Sequence, residues 1–97
     1  MKKRLPPQER EWTRKILIRL IEKELTASKL SRIIGIGQST IRGHLITLEN
    51  EGFVRSEILP HYKSYNVTIK GIKLIKYIKR KEFFDEMLTE MSEELLK

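Results

Sequence analysis

Four hydrogen-bonding side chains, those of Gln38, Ser39, Thr40 and Arg42, stand close together in one stretch of the 97-residue chain. Arginine and glutamine make two-point hydrogen bonds to base edges, and hydroxyls bond to bases or phosphates. Short polar side chains at the start of a helix also let the helix come close to those edges. These residue types indicate contact with a nucleic acid, with Arg42 expected on guanine and Gln38 on a base edge or phosphate.

The stretch that carries these side chains, GQSTIRGHLITLENEGFV, reads as a helix. Ile41, Leu45 and Leu48 recur at i, i+4 and i+7, which places them on one buried stripe. The polar side chains then fall on the other faces. Gly52 is expected to end the helix in a left-handed conformation, so we predict a recognition helix over about residues 38–51.

A second, shorter helix precedes it. Residues 27–34 show helical apolar spacing, Thr26 suits the N-cap, and the connector Gly35-Ile36-Gly37 is short and rich in glycine. Two helices joined in this way form a helix-turn-helix. Lys29 and Arg32 on the first of them are expected to contact the nucleic-acid backbone, or else to form a solvated basic face.

A β-hairpin is predicted to follow. Residues 53–58 and 65–67 favour strands, and the connection 59–64 contains Pro60, which suits a loop. The tip of this hairpin carries three candidate residues for a minor groove or phosphates, namely His61, Tyr62 and Lys63. The alternative for the tip is a solvated loop. Arg55, near the base, either faces a phosphate or pairs with Glu57 or another nearby acid.

At this point the chain resembles the winged-helix regulators of the MarR and ArsR type over about residues 9–81. The resemblance is strongest in QSTIRGHLITLENEGFV and in YNVTIKG. It implies a winged helix-turn-helix fold, mainly α with a small β-hairpin, in a prokaryotic DNA-binding protein that we expect to be archaeal. It also implies that His44 is a partly buried structural residue. The recognition positions that carry over are Gln38, Ser39, Arg42 and Gly43, with Thr40 on a phosphate.

The first and last helices are the candidates for dimerisation. A helix over about residues 8–24 has so wide an apolar face that Trp12 and Ile18 are expected to meet a partner subunit. Thr68 is expected to cap a long last helix toward residue 95. In the second half of this helix the apolar residues Phe84, Leu88, Met91 and Leu95 are spaced 4, 3 and 4 residues apart, and we call this row the seam. Such spacing is typical of a short coiled coil. The alternative is that this half folds back on its own domain.

This reading divides the chain into three parts. Residues 1–7 are a basic flexible arm, residues 8–68 a winged helix-turn-helix domain, and residues 69–97 a C-terminal dimerisation helix. A chain of this length buries a small core, so a second subunit would help to stabilise it.

Charge is distributed unevenly along the sequence. The net charge is +7, with 19 Lys and Arg against 7 acids in residues 1–81 and 1 against 6 in residues 82–97. A basic body points to a polyanionic partner, although a thermophile's charged surface is the alternative explanation. Cysteine is absent, which excludes disulfides and thiolate metal sites. We expect no cofactor, no metal and no dedicated small-molecule effector.

No apolar run of about 18 residues and no signal-peptide pattern occurs, so we expect no membrane association and a cytoplasmic, nucleoid-associated protein. No phosphate-binding loop or nucleophile–base pair suggests an enzyme. The function predicted is sequence-specific binding of double-stranded DNA by a homodimeric transcriptional regulator. The alternatives are a non-specific chromosome-architectural protein and a winged-helix protein-interaction adaptor.

Overall fold

The computed structural model describes residues 5–95, so residues 1–4 of the predicted basic arm lie outside the described residues. A 3-10 turn, Pro7–Glu9, comes first. The remaining elements are α1 (Glu11–Glu22), β1 (Leu25–Thr26), α2 (Ala27–Ile34), α3 (Gln38–Asn50), β2 (Val54–Ile58), β3 (Lys63–Val67) and α4 (Ile69–Leu95). The fold is mainly α with a small antiparallel sheet, as predicted.

The predicted helix-turn-helix is confirmed in α2 and α3. The Thr26 hydroxyl accepts a hydrogen bond from the Lys29 amide (3.2 Å) and so caps α2. Gly35 ends α2 at φ +80°, a left-handed conformation that costs other residue types free energy. The Ser31 hydroxyl donates to the Ile36 carbonyl across the turn (2.5 Å), which holds the connector against α2.

The rotation of α3 about its axis is set by a buried stripe. Ile41, Leu45 and Leu48 are each 0% exposed, and they join a core that includes Leu17 and Leu30. Burying one such side chain stabilises the fold by about 1.5–3 kcal/mol, so turning this stripe toward water would cost several times that amount. The opposite face of α3 must therefore face solvent.

The sheet has three strands in the order β1-β3-β2, all antiparallel. The sequence predicts only the hairpin of β2 and β3. The third strand, β1, is two residues long and pairs Leu25 with Tyr65 and Thr26 with Ser64. A two-residue strand is too short to show an alternating pattern in the sequence. It forms only through pairing with the edge of β3.

The predicted strand boundaries are wrong by one and two residues. Phe53 lies outside β2, since its amide donates to the Leu48 carbonyl (2.9 Å) and its carbonyl accepts from the Thr68 amide (3.0 Å). Strand β3 begins at Lys63 instead of at Tyr65, because Lys63 pairs with Ile58. The wing tip is therefore a four-residue turn, closed by a hydrogen bond from the Leu59 amide to the Tyr62 carbonyl (2.8 Å).

The single helix predicted over about residues 8–24 is also wrong at both ends. Arg10 has an extended backbone (φ −84°, ψ 116°) that separates the 3-10 turn from α1. Its Nε donates to the Thr13 hydroxyl (2.9 Å). At the other end Lys23 is extended, because the next residues leave the helix to pair with β3.

Ring stacking and an ion pair connect α1 to α3. The rings of Trp12 and His44 stack at 3.9 Å with 8° between their planes, and the Arg10 guanidinium lies 4.3 Å from the Trp12 ring centre. The same guanidinium donates twice to the Glu51 carboxylate, at 2.6 and 3.2 Å. His44 is half-buried and contributes to packing, in agreement with the role that the resemblance implies.

Helix α4 starts at a junction with the end of α3. The Thr68 hydroxyl donates to the Gly52 carbonyl (2.6 Å) and accepts from the Gly71 amide (3.1 Å), which confirms Thr68 as the cap. Lys70 Nζ donates to the Glu51 carbonyl (2.6 Å). Gly71 itself is buried against the Phe53 backbone and the Val67 side chain.

The two halves of α4 have different surroundings. Gly71, Ile75 and Ile78 are buried against the body, whereas every residue from 83 to 95 is exposed. The second half therefore does not fold back on its own domain. None of the helices within residues 5–95 has the length and hydropathy needed to cross a bilayer.

We expect Gly71→Ala to destabilise the fold. A Cβ at this position would collide with the Phe53 carbonyl oxygen and lie 2.7 Å from Val67 Cγ2. Overpacking of this kind costs about 1–3 kcal/mol of unfolding free energy, measured by urea denaturation. Gly43→Ala is the matched control, because no atom lies within 4 Å of its Cβ position and alanine favours a helix by up to about 1 kcal/mol. Equal stability of the two variants would contradict the close approach at Gly71.

The stability of the protein should depend on the protonation of His44. Burial lowers the pKa of His44 below its ordinary value of 6.5, and the positive charge of Arg10 lowers it further. The folded state then binds this proton more weakly than the unfolded chain, so the free energy of unfolding should fall as the pH drops below 6.5. Urea denaturation of wild type and His44→Gln from about pH 7.5 to about pH 5 tests this. The difference between the two proteins should change across that range, and a constant difference would refute the assignment.

Candidate nucleic-acid interface

The solvent face of α3 presents Gln38, Arg42 and Ile46 in one row. Residues four apart lie on the same side of a helix, and this row lies on the side that the buried stripe leaves outward. All three side chains are exposed, Ile46 by 56%. The row offers an amide, a guanidinium and an aliphatic group to a partner.

The wing tip faces this row across a hollow of about 480 Å³. The two sets of residues that the sequence predicts separately, on α3 and at the wing tip, thus border one concave surface. We call it the reading hollow, and its lining residues are Thr26, Ala27, Ser28, Gln38, Arg42, Ile46, His61, Tyr62, Lys63 and Tyr65.

Local structure explains how each side of the reading hollow is held. The α3 side is fixed by the buried stripe, and the wing side by the ladder between β2 and β3. Lys63 Nζ lies 5.5 Å from the Tyr65 ring centre, a cation–π contact that orients the lysine. Between the two sides α2 begins, with the positive end of its dipole, which favours a negatively charged partner.

Other predicted site residues lie outside the reading hollow. Ser39, Thr40 and Gly43 are exposed on α3 but do not line it. Lys29 borders a neighbouring hollow of about 250 Å³, which it shares with Tyr62.

Arg32 and Arg55 line neither of these two hollows. Arg32 is exposed in the last turn of α2. Arg55 is exposed on β2 and borders a separate hollow with Thr68 and Lys70. Among residues 5–95 Arg55 forms no ion pair with Glu57, so the structure does not show that alternative.

The charges of the candidate residues are not neutralised by nearby acids. Within the described residues the ion pairs are Arg10–Glu51 (2.6 Å), Arg14–Glu82 (2.9 Å) and Lys15–Glu11 (3.3 Å). All three involve Arg10 or the first turns of α1, and none includes a basic residue of the predicted site. Uncompensated charge beside exposed base-reading groups is what contact with a polyanion requires.

Sequence reasoning missed five residues that line the reading hollow: Thr26, Ala27, Ser28, Ile46 and Tyr65. Ile46 carried a usable signal, because it follows Arg42 by four residues and falls off the buried stripe. Tyr65 carried none, because its position depends on where β3 lies beside α2. Within residues 5–95 no three His, Asp or Glu side chains cluster closely enough to hold a metal ion.

The predicted dimer residues fall into two groups. Trp12 and Ile18 on α1 pack partly against the core of their own chain. The side chains of the α4 seam are exposed to solvent, Phe84 by 55%, Leu88 by 61%, Met91 by 54% and Leu95 by 83%. A single chain does not test either group, and both stay predictions.

Comparisons of sequence agree with this geometry. The profile of the family described as "Bacterial regulatory protein, arsR family" matches residues 13–56, the span from α1 through most of β2. A comparison with curated protein sequences finds no match.

Solved structures match over most of the chain. A transcriptional regulator of the MarR family from Enterococcus faecalis V583 has a TM-score of 0.77 and 21% identity, covering 91% of this chain and 84% of that one. The regulator BldR from Sulfolobus solfataricus has a TM-score of 0.69 and 25% identity, covering 87% of this chain and 66% of that one. A mutant of MepR from S. aureus has a TM-score of 0.72 and 20% identity, covering 87% of this chain and 64% of that one.

The chain thus spans less than two thirds of the length of the last two proteins. The fold of these regulators is nevertheless shared over most of this chain. The α2–α3 pair and the wing together form a winged helix-turn-helix, the fold that these solved regulators share, and residues 13–56 are similar in sequence to the arsR family.

Proposed function

We propose that the protein binds double-stranded DNA as a homodimeric, sequence-specific transcriptional regulator. In this proposal α3 enters the major groove and the wing tip contacts the minor groove or the backbone beside it. The observation that carries the proposal is the reading hollow, in which the exposed row of α3 and the wing tip border one concave surface.

The row on α3 suits base recognition. Arg42 can donate two hydrogen bonds to guanine, and Gln38 at the start of the helix can reach a base edge or a phosphate. Ile46 adds an apolar group of the kind that packs on the methyl of thymine. Ser39, Thr40 and Gly43 lie beside the row at the start of the helix and are assigned to phosphates and close approach.

The wing side suits the backbone. Lys63 supplies a positive charge and Tyr62 a half-exposed ring with a hydroxyl, at 54% exposure. His61 stands beside them on the same turn. Lys29, Arg32 and Arg55 extend the basic surface on either side, where they would contact flanking phosphates.

Two such units, related by a twofold axis, would read sites about one DNA turn apart, roughly 34 Å. The dimer contacts belong to the helices outside the reading hollow. We place the protein in the cytoplasm, associated with the nucleoid, and assign it no cofactor and no small-molecule effector.

A specific observation favours a second candidate, the architectural DNA-binding protein. Lys70, Lys73, Lys76 and Lys79 on α4 are all exposed and none is in an ion pair within residues 5–95. A basic ridge of this kind binds any duplex. Selection of sites from random duplex DNA separates the candidates, because a regulator binds its site roughly 10³-fold or more tighter than random sequence.

Arg42→Ala should weaken binding to the selected site by about 1–3 kcal/mol per half-site, roughly fivefold to 150-fold, and relax the preference at one base pair of each half-site. Fluorescence anisotropy with labelled duplexes measures both effects. Arg19→Ala is the matched control, since Arg19 is an exposed arginine on α1 outside the reading hollow. Equal losses in the two variants, or no selected motif at all, would end the proposal of sequence-specific reading.

Lys63→Ala should act differently, because a phosphate contact carries no sequence information. We expect a similar loss on the selected site and on random DNA, and a decrease of about 1 per protomer, about 2 for the dimer, in the slope of log affinity against log salt concentration. Titrations between about 50 and 200 mM salt measure that slope. An unchanged slope would show that the wing lysine does not touch the backbone.

A further inference from the structure

We propose that two copies of the chain pair through α4 in an antiparallel orientation, with Tyr77 of one copy opposite Leu95 of the other. This inference rests on the proposed homodimer and adds to it the direction and register of the pairing. Three observations carry it: the length of the exposed seam, the separation of charge along α4, and the position of Lys81 in the seam.

The exposed seam is longer than the sequence pattern alone shows. Tyr77 is 52% exposed and Lys81 is exposed, and both continue the row formed by Phe84, Leu88 and the residues beyond them. From 77 to 95 the row advances in steps of 4, 3, 4, 3 and 4 residues, the spacing of a coiled-coil interface. The resulting stripe spans more than two heptads and lies away from the face buried by Gly71, Ile75 and Ile78.

The two halves of α4 carry equal numbers of charges of opposite sign. Residues 69–81 contain six basic residues and no acid, whereas residues 82–95 contain six acidic residues and no base. In a parallel pair each half would lie beside its own copy, and like charges would face each other. In an antiparallel pair the basic start of the seam lies beside the acidic end of the partner, which lowers the electrostatic free energy.

Lys81 decides between the orientations most directly, because it lies within the seam. A parallel pair sets Lys81 against the partner's Lys81, two ammonium groups at one layer of the interface. With Tyr77 opposite Leu95, an antiparallel pair instead sets Lys81 against the partner's Met91. There the lysine stem packs on an apolar side chain and its ammonium lies between the partner's Glu90 and the partner's Glu94.

The residues that flank the seam favour the same arrangement. Arg80 would lie beside the partner's Glu94, and by symmetry this pair occurs twice. Met87, which is 41% exposed, would contact the partner's Met87 near the twofold axis. Asp85 would face the partner's Asp85, a solvated like-charge contact that costs a few tenths of a kcal/mol and is outweighed by the two ion pairs.

A second copy is the occupant that this stripe fits, because its apolar and charged positions complement each other under a twofold rotation. The layers pair Tyr77 with Leu95, Lys81 with Met91 and Phe84 with Leu88, each of them twice. A self-complementary surface of this kind is what an isologous interface requires.

Cysteine cross-linking tests the orientation cleanly, because the natural chain contains no cysteine. Lys81→Cys and Met91→Cys proteins, one carrying a size tag, are mixed, unfolded, refolded together and oxidised. We expect a disulfide-linked heterodimer and little cross-linking of Lys81→Cys with itself, because its two copies would lie ten residues apart along the helices, about 15 Å. Efficient self-cross-linking of Lys81→Cys would overturn the antiparallel proposal.

Charge reversal gives a second test that does not depend on thiols. Glu94→Lys alone should weaken dimerisation about threefold to tenfold in sedimentation analysis, and Arg80→Glu in the same chain should restore it to near the wild-type value. Lys79→Glu with Glu93→Lys is the matched control, since these positions lie away from the seam. Failure of the second change to restore pairing would contradict the register.

These outcomes are independent of the test of DNA reading. If the protein sediments as a monomer at micromolar concentration, the antiparallel pairing and the homodimer both fall, while the effect of Arg42→Ala on DNA binding still reports on the reading hollow. If a dimer forms and Lys81→Cys links to itself, only the orientation is wrong.

Discussion

The burial of Ile41, Leu45 and Leu48 is the constraint on which the rest of the structure depends. These three side chains have no solvent exposure, and they can enter the core in only one rotation of α3. That rotation sends Gln38, Arg42 and Ile46 outward as one row. A helix free to turn by even a third of a revolution would present a different set of groups, so the apolar side of α3 determines what its polar side can read.

The ion pairs of the molecule lie away from the reading hollow. The ion pairs of the described residues lie near α1, where Glu51 accepts two hydrogen bonds from Arg10 and Glu82 pairs with Arg14. The surface around the reading hollow has no such pairs within the described residues and keeps its positive charge. Five further acids, Asp85, Glu86, Glu90, Glu93 and Glu94, lie on the exposed second half of α4.

Much of this arrangement could be predicted from the sequence, because its signals are local. The apolar spacing of α3, the Thr26 and Thr68 caps and the left-handed Gly52 are properties of short segments, and the structure confirms them. Strand β1 could not be predicted, since two residues become a strand only through pairing with β3. The meeting of the wing tip with Arg42 likewise depends on tertiary packing, whereas Ile46 could have been found from its spacing.

Three hydrogen bonds between the end of α3 and the start of α4 have a consequence for any dimer built through α4. They join Thr68 and Lys70 to the carbonyls of residues 51–53, beside the close approach of Gly71 to the Phe53 backbone. The angle between recognition helix and tail is therefore a property of each protomer. The dimer would then fix the separation of the two DNA half-sites before it binds. A site with a different spacing could be bound only if the DNA duplex bends.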